Sequence, residues 1–483
     1  MKCWHWRQWS WLGVWLLACS DTPTPAARHD DTVPMRATTR EGGQPPPIDR
    51  ETPSSDAGLE PVHVPMPKPT AIGAGPVHSC ALFDTGAIKC WGRNELGELG
   101  VGDTEARGDD PDELGDALPA VNLGSGRRAT SVAVGSAMSC ALLVDGAVKC
   151  WGSGFLGALG LGDDMHRGAS SSQLGDALPE VDLGPGAIAV RLWQGFRTCA
   201  FLDNGALKCW GGNQYGQLGL GDTLSRGDEP GEMGDALPPI DLGTDRTLVD
   251  LALGTSHGCA LLENGTVKCW GNSFTGQLGL GDTDTRGDGP GEMGDALPAV
   301  DLGANARAEG VAAGQRHSCA LLEGGAVKCW GLNGSGMLGV AAGADRLGDE
   351  PGEMGDALPV VDLGTDVRAM RIVAGTQHTC ALLEDGRVKC WGDNQHGQLG
   401  LGDTNVRGDE PGEMGDALPI VDLGTGRTAL QLTTSGNHTC ALLDNDQVKC
   451  WGDNQYGQLG LGDTNARGDQ PGEMGDALPA VNL

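Results

Sequence analysis

The chain has 483 residues, of which 81 are glycine, while only 5 are Phe and 2 are Tyr. This composition disfavours a large helical core and favours many short elements joined by tight turns. The formal net charge of −32 argues against nucleic acid and against anionic lipid surfaces as partners. The same charge is compatible with basic partners, with cations or with plain solubility.

Residues 1–18 have the pattern of a targeting segment. Lys2 and Arg7 supply positive charge, and the apolar stretch 9–18 is too short to span a bilayer. The letters LLAC, ending at Cys19, resemble the bacterial lipobox. That resemblance implies cleavage before Cys19 and its acylation, giving a lipoprotein of the bacterial cell envelope, at the outer membrane or the cell surface. An ordinary secretory signal with a chance cysteine is the alternative, and it also exports the protein.

Residues 19–69 are predicted to be a disordered tether. The stretch is rich in Pro, Thr, Asp and Arg, contains the run QPPP at 44–47, and has no apolar periodicity. Such a sequence cannot bury enough apolar surface to fold, so it is expected to link the lipid to a folded domain at 70–483.

The domain at 70–483 consists of seven copies of one repeat of about 60 residues. Each copy contains Cys-Ala-Leu, a short turn and Lys-Cys-Trp-Gly, with Phe201 replacing the leucine in the third copy. A three-residue hairpin loop, ending in glycine in six copies and in Asp446 in the last, sets the two cysteines directly opposite each other. In an exported protein each hairpin is expected to carry a disulfide. The predicted pairs are Cys80–Cys90, Cys140–Cys150, Cys199–Cys209, Cys259–Cys269, Cys319–Cys329, Cys380–Cys390 and Cys440–Cys450.

Each repeat is predicted to form a blade of about four short antiparallel strands. An apolar strand precedes the hairpin, and a glycine-rich loop, an acidic insert and a last strand such as 296–302 follow it. The tryptophan after the second cysteine is expected to be a core residue stacked on the disulfide. One such sheet cannot bury both faces, whereas seven arranged radially can. The predicted fold is therefore an all-β, seven-bladed β-propeller, expected to be a monomer, and the strand that closes the ring is left open.

The repeat resembles that of the regulator of chromosome condensation family. The pattern GxxHxCAL…GxVKCWGxNxxGQLGxGD is clear at 254–282 and 375–403, and the match covers about 70–483. The resemblance implies a seven-bladed propeller. The nucleotide-exchange and chromatin-binding roles of its nuclear members are not expected here, because the compartment and the charge differ and no copy has an obvious β-wedge insertion.

Three recurring features could be mistaken for functional sites. Histidines precede the first cysteine by two residues in five copies, but Met138 and Arg197 replace them in two and no fourth zinc ligand is present. Hydrogen bonding or packing between blades is predicted for them instead. The acidic inserts, such as 222–241 with six acidic and one basic residue, lack calcium-loop spacing, so solvated loops are expected. The repeated Arg-Gly-Asp is interpreted as structural rather than as an integrin motif. No metal and no cofactor are predicted.

Departures from the repeat in copies two and three form the candidate partner site. They place Trp193, Phe196, Arg197, Phe155 and His166 in one sector of the ring, and aromatic and arginine side chains on a rigid scaffold are typical of binding hot spots. Drift of a redundant repeat is the alternative explanation.

The predicted function is a protein- or glycan-binding, or adhesion, module of the cell envelope. A protein inhibitor of an extracellular enzyme is the second interpretation. A hydrolase or lyase is third, because no catalytic motif stands out once the repeat itself is discounted.

Overall fold

The structure, a computed structural model, describes residues 67–244, 246–340 and 345–483. The predicted leader at 1–18, the lipidation candidate Cys19 and nearly all of the tether at 19–69 lie outside these residues. Within the described ranges, no helix has the length and apolar character needed to cross a bilayer.

Seven separate antiparallel sheets make up the domain, one for each sequence repeat, which confirms the seven-bladed propeller. Within each blade the strands follow one another in chain order as inner, middle and third strand. The inner strands are Pro69–Ala74, Ala129–Val134, Ala189–Gln194, Leu248–Leu253, Ala308–Ala313, Ala369–Ala374 and Ala429–Ser435. The middle strands are His78–Phe83, Met138–Leu143, Arg197–Leu202, His257–Leu262, His317–Leu322, His378–Leu383 and His438–Leu443. The third strands are Ile88–Gly92, Val148–Gly152, Leu207–Gly211, Val267–Gly271, Val327–Leu332, Val388–Gly392 and Val448–Gly452.

The fourth strand of each blade is split in two by the acidic insert. Blade 5 has a short strand at Arg346–Leu347, and the other blades have a single bridge, as between Gly271 and Arg286. Beyond the insert, an extended segment returns to the start of the third strand, where the Val300 amide donates to the Val267 carbonyl at 2.8 Å. The last strand predicted at 296–302 is therefore an extended segment with one ladder bond, because the insert displaces the chain before pairing can continue.

Short 3₁₀ helices lie within the inserts and in one loop. A Gly-Asp-Ala turn recurs in every blade, and blade 2 adds two further turns. These helices are Gly115–Ala117, Phe155–Gly157, Ser171–Gln173, Gly175–Ala177, Gly234–Ala236, Gly294–Ala296, Gly355–Ala357, Gly415–Ala417 and Gly475–Ala477.

All seven predicted disulfides are present, one across each hairpin. The two cysteines of each pair are direct partners in the ladder, as Cys259 and Cys269 are, and their Cα atoms lie 4.0–4.1 Å apart. The register that a three-residue loop imposes on a hairpin therefore accounts for the pairing.

The apolar core lies between blades rather than within them. The tryptophan of one blade shares a core cluster with the disulfide of the preceding blade, as Trp330 does with Cys259 and Cys269. Each indole N–H also donates to a main-chain carbonyl of that preceding blade, at 2.9–3.1 Å. The predicted stacking on a disulfide thus involves the neighbouring blade's disulfide, and it joins successive blades into a ring.

Among the described residues, each blade is built from one continuous stretch of chain, and the ring closes by contacts between blade 7 and blade 1. Trp91 of blade 1 donates its indole N–H to the carbonyl of Gln458 in blade 7, at 3.0 Å. His438 Nε2 of blade 7 lies 3.0 Å from Ser79 Oγ of blade 1. The indole contact at closure is therefore the one found at all seven interfaces, and the histidine contact is one of five.

Candidate functional site

The propeller has two faces with different loops. Since successive strands run antiparallel, the turns between inner and middle strands and the loops after the third strands lie on one face, defined here as the crown face. A hydrogen bond of 2.9 Å from the Asn272 amide to the Ser256 carbonyl joins these two kinds of loop in blade 4. The middle-to-third hairpin turns lie on the opposite face, defined here as the hairpin face.

The crown face of blades 2–4 carries a group of exposed apolar side chains. Phe155, Met165, Phe196, Leu224 and Phe274 are 51–67% exposed, although apolar side chains of this size are normally buried. They are called the crown patch below. Because all five come from crown-face loops of three consecutive blades, they form one sector of that face.

Two contacts show how closely these loops approach each other. Tyr215 of blade 3 packs edge-to-face on Phe274 of blade 4, with ring centroids 5.8 Å apart. In blades 5 and 6, Ser335 Oγ donates to Gln377 Oε1 at 3.3 Å. Ser335 and Gln377 occupy the repeat positions of Leu156 and Phe196, so the loop carrying Phe155 adjoins the turn carrying Phe196.

The five residues predicted as a partner site, from the departures of copies two and three from the repeat, lie in three different environments. Phe155 and Phe196 lie exposed in the crown patch, and His166 is exposed beside it, where its Nδ1 accepts a hydrogen bond from the Gly154 amide at 3.1 Å. Trp193 is half-buried and lines the central channel, where its indole N–H donates to Asp250 at 3.3 Å. Arg197 is buried between blades 3 and 4.

Arg197 does not belong to any partner surface, which corrects its prediction as a binding residue. Its side chain is 1% exposed and reaches from blade 3 into blade 4. Nη1 donates to the Gly254 carbonyl at 3.1 Å, and Nη2 donates to the His257 carbonyl at 2.7 Å. Burial without an acidic partner lowers the pKa of Arg197 to about 9. The arginine therefore joins two blades where other copies use histidine.

The five histidines join blades, as predicted. His78, His257, His317, His378 and His438 are fully buried, and each Nε2 lies 2.8–3.1 Å from a Ser or Thr hydroxyl of the next blade. Each Nδ1 has no hydrogen-bond partner among the described residues, so a second ring proton would be buried unpaired. Burial accordingly lowers the pKa of all five to about 3 or 4.

Charged side chains of the consensus repeat form hydrogen bonds within the fold. In blade 4, Lys268 Nζ donates to the carbonyls of Leu242 and Gly294 at 3.1 and 2.7 Å. In blade 3, Glu232 accepts the amides of Gly227 and Glu229 within its insert, at 2.9 and 3.0 Å. Hydrogen bonds from main-chain amides to a carboxylate of the same insert therefore hold the insert in its conformation. In the ranges that the structure covers, no group of three or more His, Cys, Asp or Glu side chains could hold a metal ion.

The repeated Arg-Gly-Asp is also built into the fold. Arg226 pairs with Asp222 at 2.6 Å, and Gly227 is packed so tightly that an added Cβ would lie 2.8 Å from the Gly157 carbonyl of the preceding blade. The arginine of the motif forms the fourth-strand bridge in five blades, and Arg167, in an Arg-Gly-Ala sequence, does so in blade 2. These contacts give the repeated arginine and glycine a structural role.

A cavity of about 350 Å³ occupies the channel at the crown-face end. A charged cluster lies at one register position of three inner strands and is formed by Arg191, Asp250 and Arg371, of which Arg371 lines the cavity. Arg191 Nη2 and Asp250 Oδ1 are 3.1 Å apart, and the Arg191 guanidinium lies over the Trp193 ring, 4.8 Å from its centroid. Burial raises the pKa of Asp250, against the opposing effect of the two arginines.

Several of these residues are not among those predicted from the sequence. Tyr215, Leu224 and Phe274 lie at ordinary positions of the consensus loops. A column-by-column comparison of the seven copies could have found Leu224, because Glu105, Asp284, Asn405 and Asn465 occupy the same position. The channel cluster carries no sequence signal, because its members lie in different blades and are brought together by ring closure.

Comparison with known proteins places the chain in one family. Residues 132–481 match the RCC1-like domain, and residues 70–98 match the regulator of chromosome condensation (RCC1) repeat. The chain is 31% identical to the ultraviolet-B receptor UVR8 of Arabidopsis thaliana, over 85% of this chain and 83% of the relative. It is 29% identical to the protein pim1 of Schizosaccharomyces pombe, over 78% and 68% of the two chains.

Solved structures share the fold. Human WBSCR16 superposes with a TM-score of 0.59 at 19% identity, covering 82% of this chain and 94% of that one. Yeast RCC1 (Prp20), in its crystal structure bound to Kap60, superposes with a TM-score of 0.56 at 21% identity, covering 78% and 81%. The chain is thus a member of the RCC1-like domain family.

Proposed function

We propose that this chain is an exported, lipid-anchored binding module of the bacterial cell envelope that takes a protein partner on its crown face. The observation that carries the proposal is the crown patch, in which large apolar side chains of three consecutive blades stand exposed. Exposed apolar groups gathered on a rigid surface are characteristic of interaction sites. The relative yeast RCC1 (Prp20), which shares the fold, binds a protein, Kap60.

The point at which a tether would join the domain lies opposite the crown patch. The described chain begins on the hairpin face, where the Asp84 amide donates to the Lys68 carbonyl at 3.0 Å and Lys68 Nζ pairs with Asp446 at 2.5 Å. A tether that joins the domain on this face would leave the crown face free for a partner. The seven disulfides support an oxidising compartment.

An inhibitor of an extracellular enzyme is one form that such a module can take, and it would use the same face. Glycan binding is the second candidate, because Phe155 and Phe274 expose aromatic rings on which a sugar can stack. Protein binding and glycan binding are distinguished by whether the captured molecule is a protein or a glycan.

The test is crosslinked capture from native cell envelopes with the full chain. We expect a protein partner to be recovered with wild type and lost with Phe155→Ser/Leu224→Ser. The matched control is Val144→Ser/Leu430→Ser, which changes two equally exposed apolar residues on the hairpin face. Equal capture by all three chains would refute the crown-face assignment.

The anchor needs its own measurement. Metabolic labelling with a radioactive fatty acid should label the wild-type chain and not Cys19→Ser. A labelled Cys19→Ser chain, or an unlabelled wild type, would rule out lipidation at this residue. The capture experiment would still test the crown face, because it does not depend on the anchor.

A further inference from the structure

The central cavity combines a small volume with one ionic side chain. Among the described residues that line it, Arg371 is the one that carries a full charge; the others are apolar or neutral polar. Its volume of about 350 Å³ lies at the lower end of the range for small-molecule sites. In a chain of net charge −32, a cavity whose lining charge is positive stands apart from the rest of the molecule.

Arg371 belongs to a cluster whose total charge has the same sign. Arg191, Asp250 and Arg371 together carry one net positive charge when Asp250 is ionised. Arg191 bonds both Asp250 and the Val249 carbonyl. Burial lowers the pKa of Arg371 to about 10 although Asp250 opposes that effect, so the surroundings as a whole disfavour its charged form.

The remaining lining supplies an apolar wall and neutral hydrogen-bonding groups. Trp193 replaces small or β-branched residues at this position of the inner strand, such as Ala133, Ala252 and Thr433. Gln431, a neutral polar residue of the lining, bonds the main chain of Ile72, whose amide donates to its Oε1 at 3.1 Å. An aromatic side chain and a cation that line the same cavity suit a carboxylate with an apolar body.

We propose that the crown-face end of the channel is a binding site for a small carboxylate, with Arg371 as its ionic partner and Trp193 as its apolar wall. The carboxylate can belong to a free organic acid or to the C-terminus of a polypeptide, since both present the same group. This site does not depend on the crown patch, because neither Arg371 nor Trp193 belongs to that patch.

The test uses saturation-transfer NMR on the full chain at constant ionic strength. The probes are benzoate and succinate, with benzamide and benzylamine as neutral and cationic analogues, and the tripeptide Gly-Gly-Phe with a free or an amidated C-terminus. We expect the carboxylates to bind with millimolar or tighter affinity and the analogues to bind at least tenfold more weakly. Binding of the acids alone identifies a free acid as ligand, and binding of the free peptide alone identifies a polypeptide terminus.

Two variants and one control assign the site. Arg371→Gln should weaken carboxylate binding at least tenfold, and Ala313→Leu should do the same by filling the cavity while leaving the charged cluster intact. Arg387→Gln, on an exposed hairpin turn of the same blade as Arg371, should bind like wild type. The proposal is overturned if no carboxylate binds the wild type, if benzamide binds as well as benzoate, or if both cavity variants bind as wild type does.

Discussion

Arg197 occupies the space that a side chain at position 258 would need. A Cβ added to Gly258 would lie 2.9 Å from Nη2 of Arg197 and 3.4 Å from the ring of Trp270. The other six copies have Ser or Thr at this position, and in five interfaces that hydroxyl meets a histidine of the preceding blade. The loss of the hydroxyl at Gly258 and the gain of a long side chain at Arg197 therefore form one coupled change between blades 3 and 4.

Restoring the hydroxyl alone should destabilise the protein. Gly258→Ser would displace the guanidinium from the carbonyls of Gly254 and His257, and overpacking of this kind costs about 1–3 kcal/mol. Arg197→His/Gly258→Ser would recreate the pair found in five other interfaces, so we expect it to be close to wild type in stability. The measurement is the free energy of unfolding in guanidinium chloride for the two single variants and the double variant. Additive effects, without a coupling of at least about 1 kcal/mol, would contradict the pairing.

The buried histidines should make the protein sensitive to mild acid. In the unfolded chain a histidine takes up a proton near pH 6.5, whereas in the fold the pKa of His317 is lowered to about 4. Between these values the unfolded state binds more protons, so stability is full above pH 6.5 and falls as the pH drops. Each such histidine contributes a slope of up to about 1.4 kcal/mol per pH unit in this window.

A single substitution isolates this slope. His317→Met introduces the residue type that Met138 supplies at the same position of blade 2, and it should reduce the dependence of unfolding free energy on pH by about one proton between pH 6.5 and 5. The control is Met138→Leu, at the same position of blade 2, which removes no titratable group and should leave the slope unchanged. If His317→Met kept the wild-type slope, the buried ring would not be neutral in the fold.

The repetitive part of this protein could be predicted from sequence because its determinants are local. A hairpin with a three-residue loop fixes the partner of each cysteine, and seven equal copies require seven equal sheets. The insert is evident in the sequence, but its effect on the fourth strand is not, because the position at which Val300 rejoins Val267 depends on how the insert folds.

The site residues were harder to predict because their environment is set across blades. Arg197 and Phe196 are adjacent in sequence, yet one is buried in an interface and the other is exposed on the crown face. Arg197 replaces a histidine, and Gly258, sixty-one positions later, replaces a Ser or Thr. Considering the two replacements together could have shown that Arg197 is buried between blades. Asp250 and Arg371 belong to blades 4 and 6, and nothing local to either strand indicates that they share a channel.

The lysine that precedes the second cysteine of each blade should stabilise the fold through its hydrogen bonds. Lys268→Met removes hydrogen bonds to the carbonyls of Leu242 and Gly294, which belong to the preceding blade's last segment and to the insert. We expect a loss of about 2 kcal/mol, the usual magnitude for buried bonds from a charged donor. Lys68→Met, which removes only an exposed ion pair, should change little. Unfolding free energies of the two variants provide the comparison, and equal values would contradict the anchoring role of Lys268.

Removal of one disulfide should weaken the ring at the next blade as well as at its own. Cys319→Ala/Cys329→Ala opens a small covalent loop, whose closure contributes up to about 2.5 kcal/mol. The chain should still fold, because the ladder between the middle and third strands of blade 5 does not depend on the bridge. Trp391 of blade 6 packs in the same cluster as these two sulfurs, so its surroundings should loosen. Hydrogen exchange should therefore rise around Trp391 in blade 6 and not around Trp270 in blade 4. Exchange that rises only within blade 5 would contradict the role of the disulfide as a contact between blades.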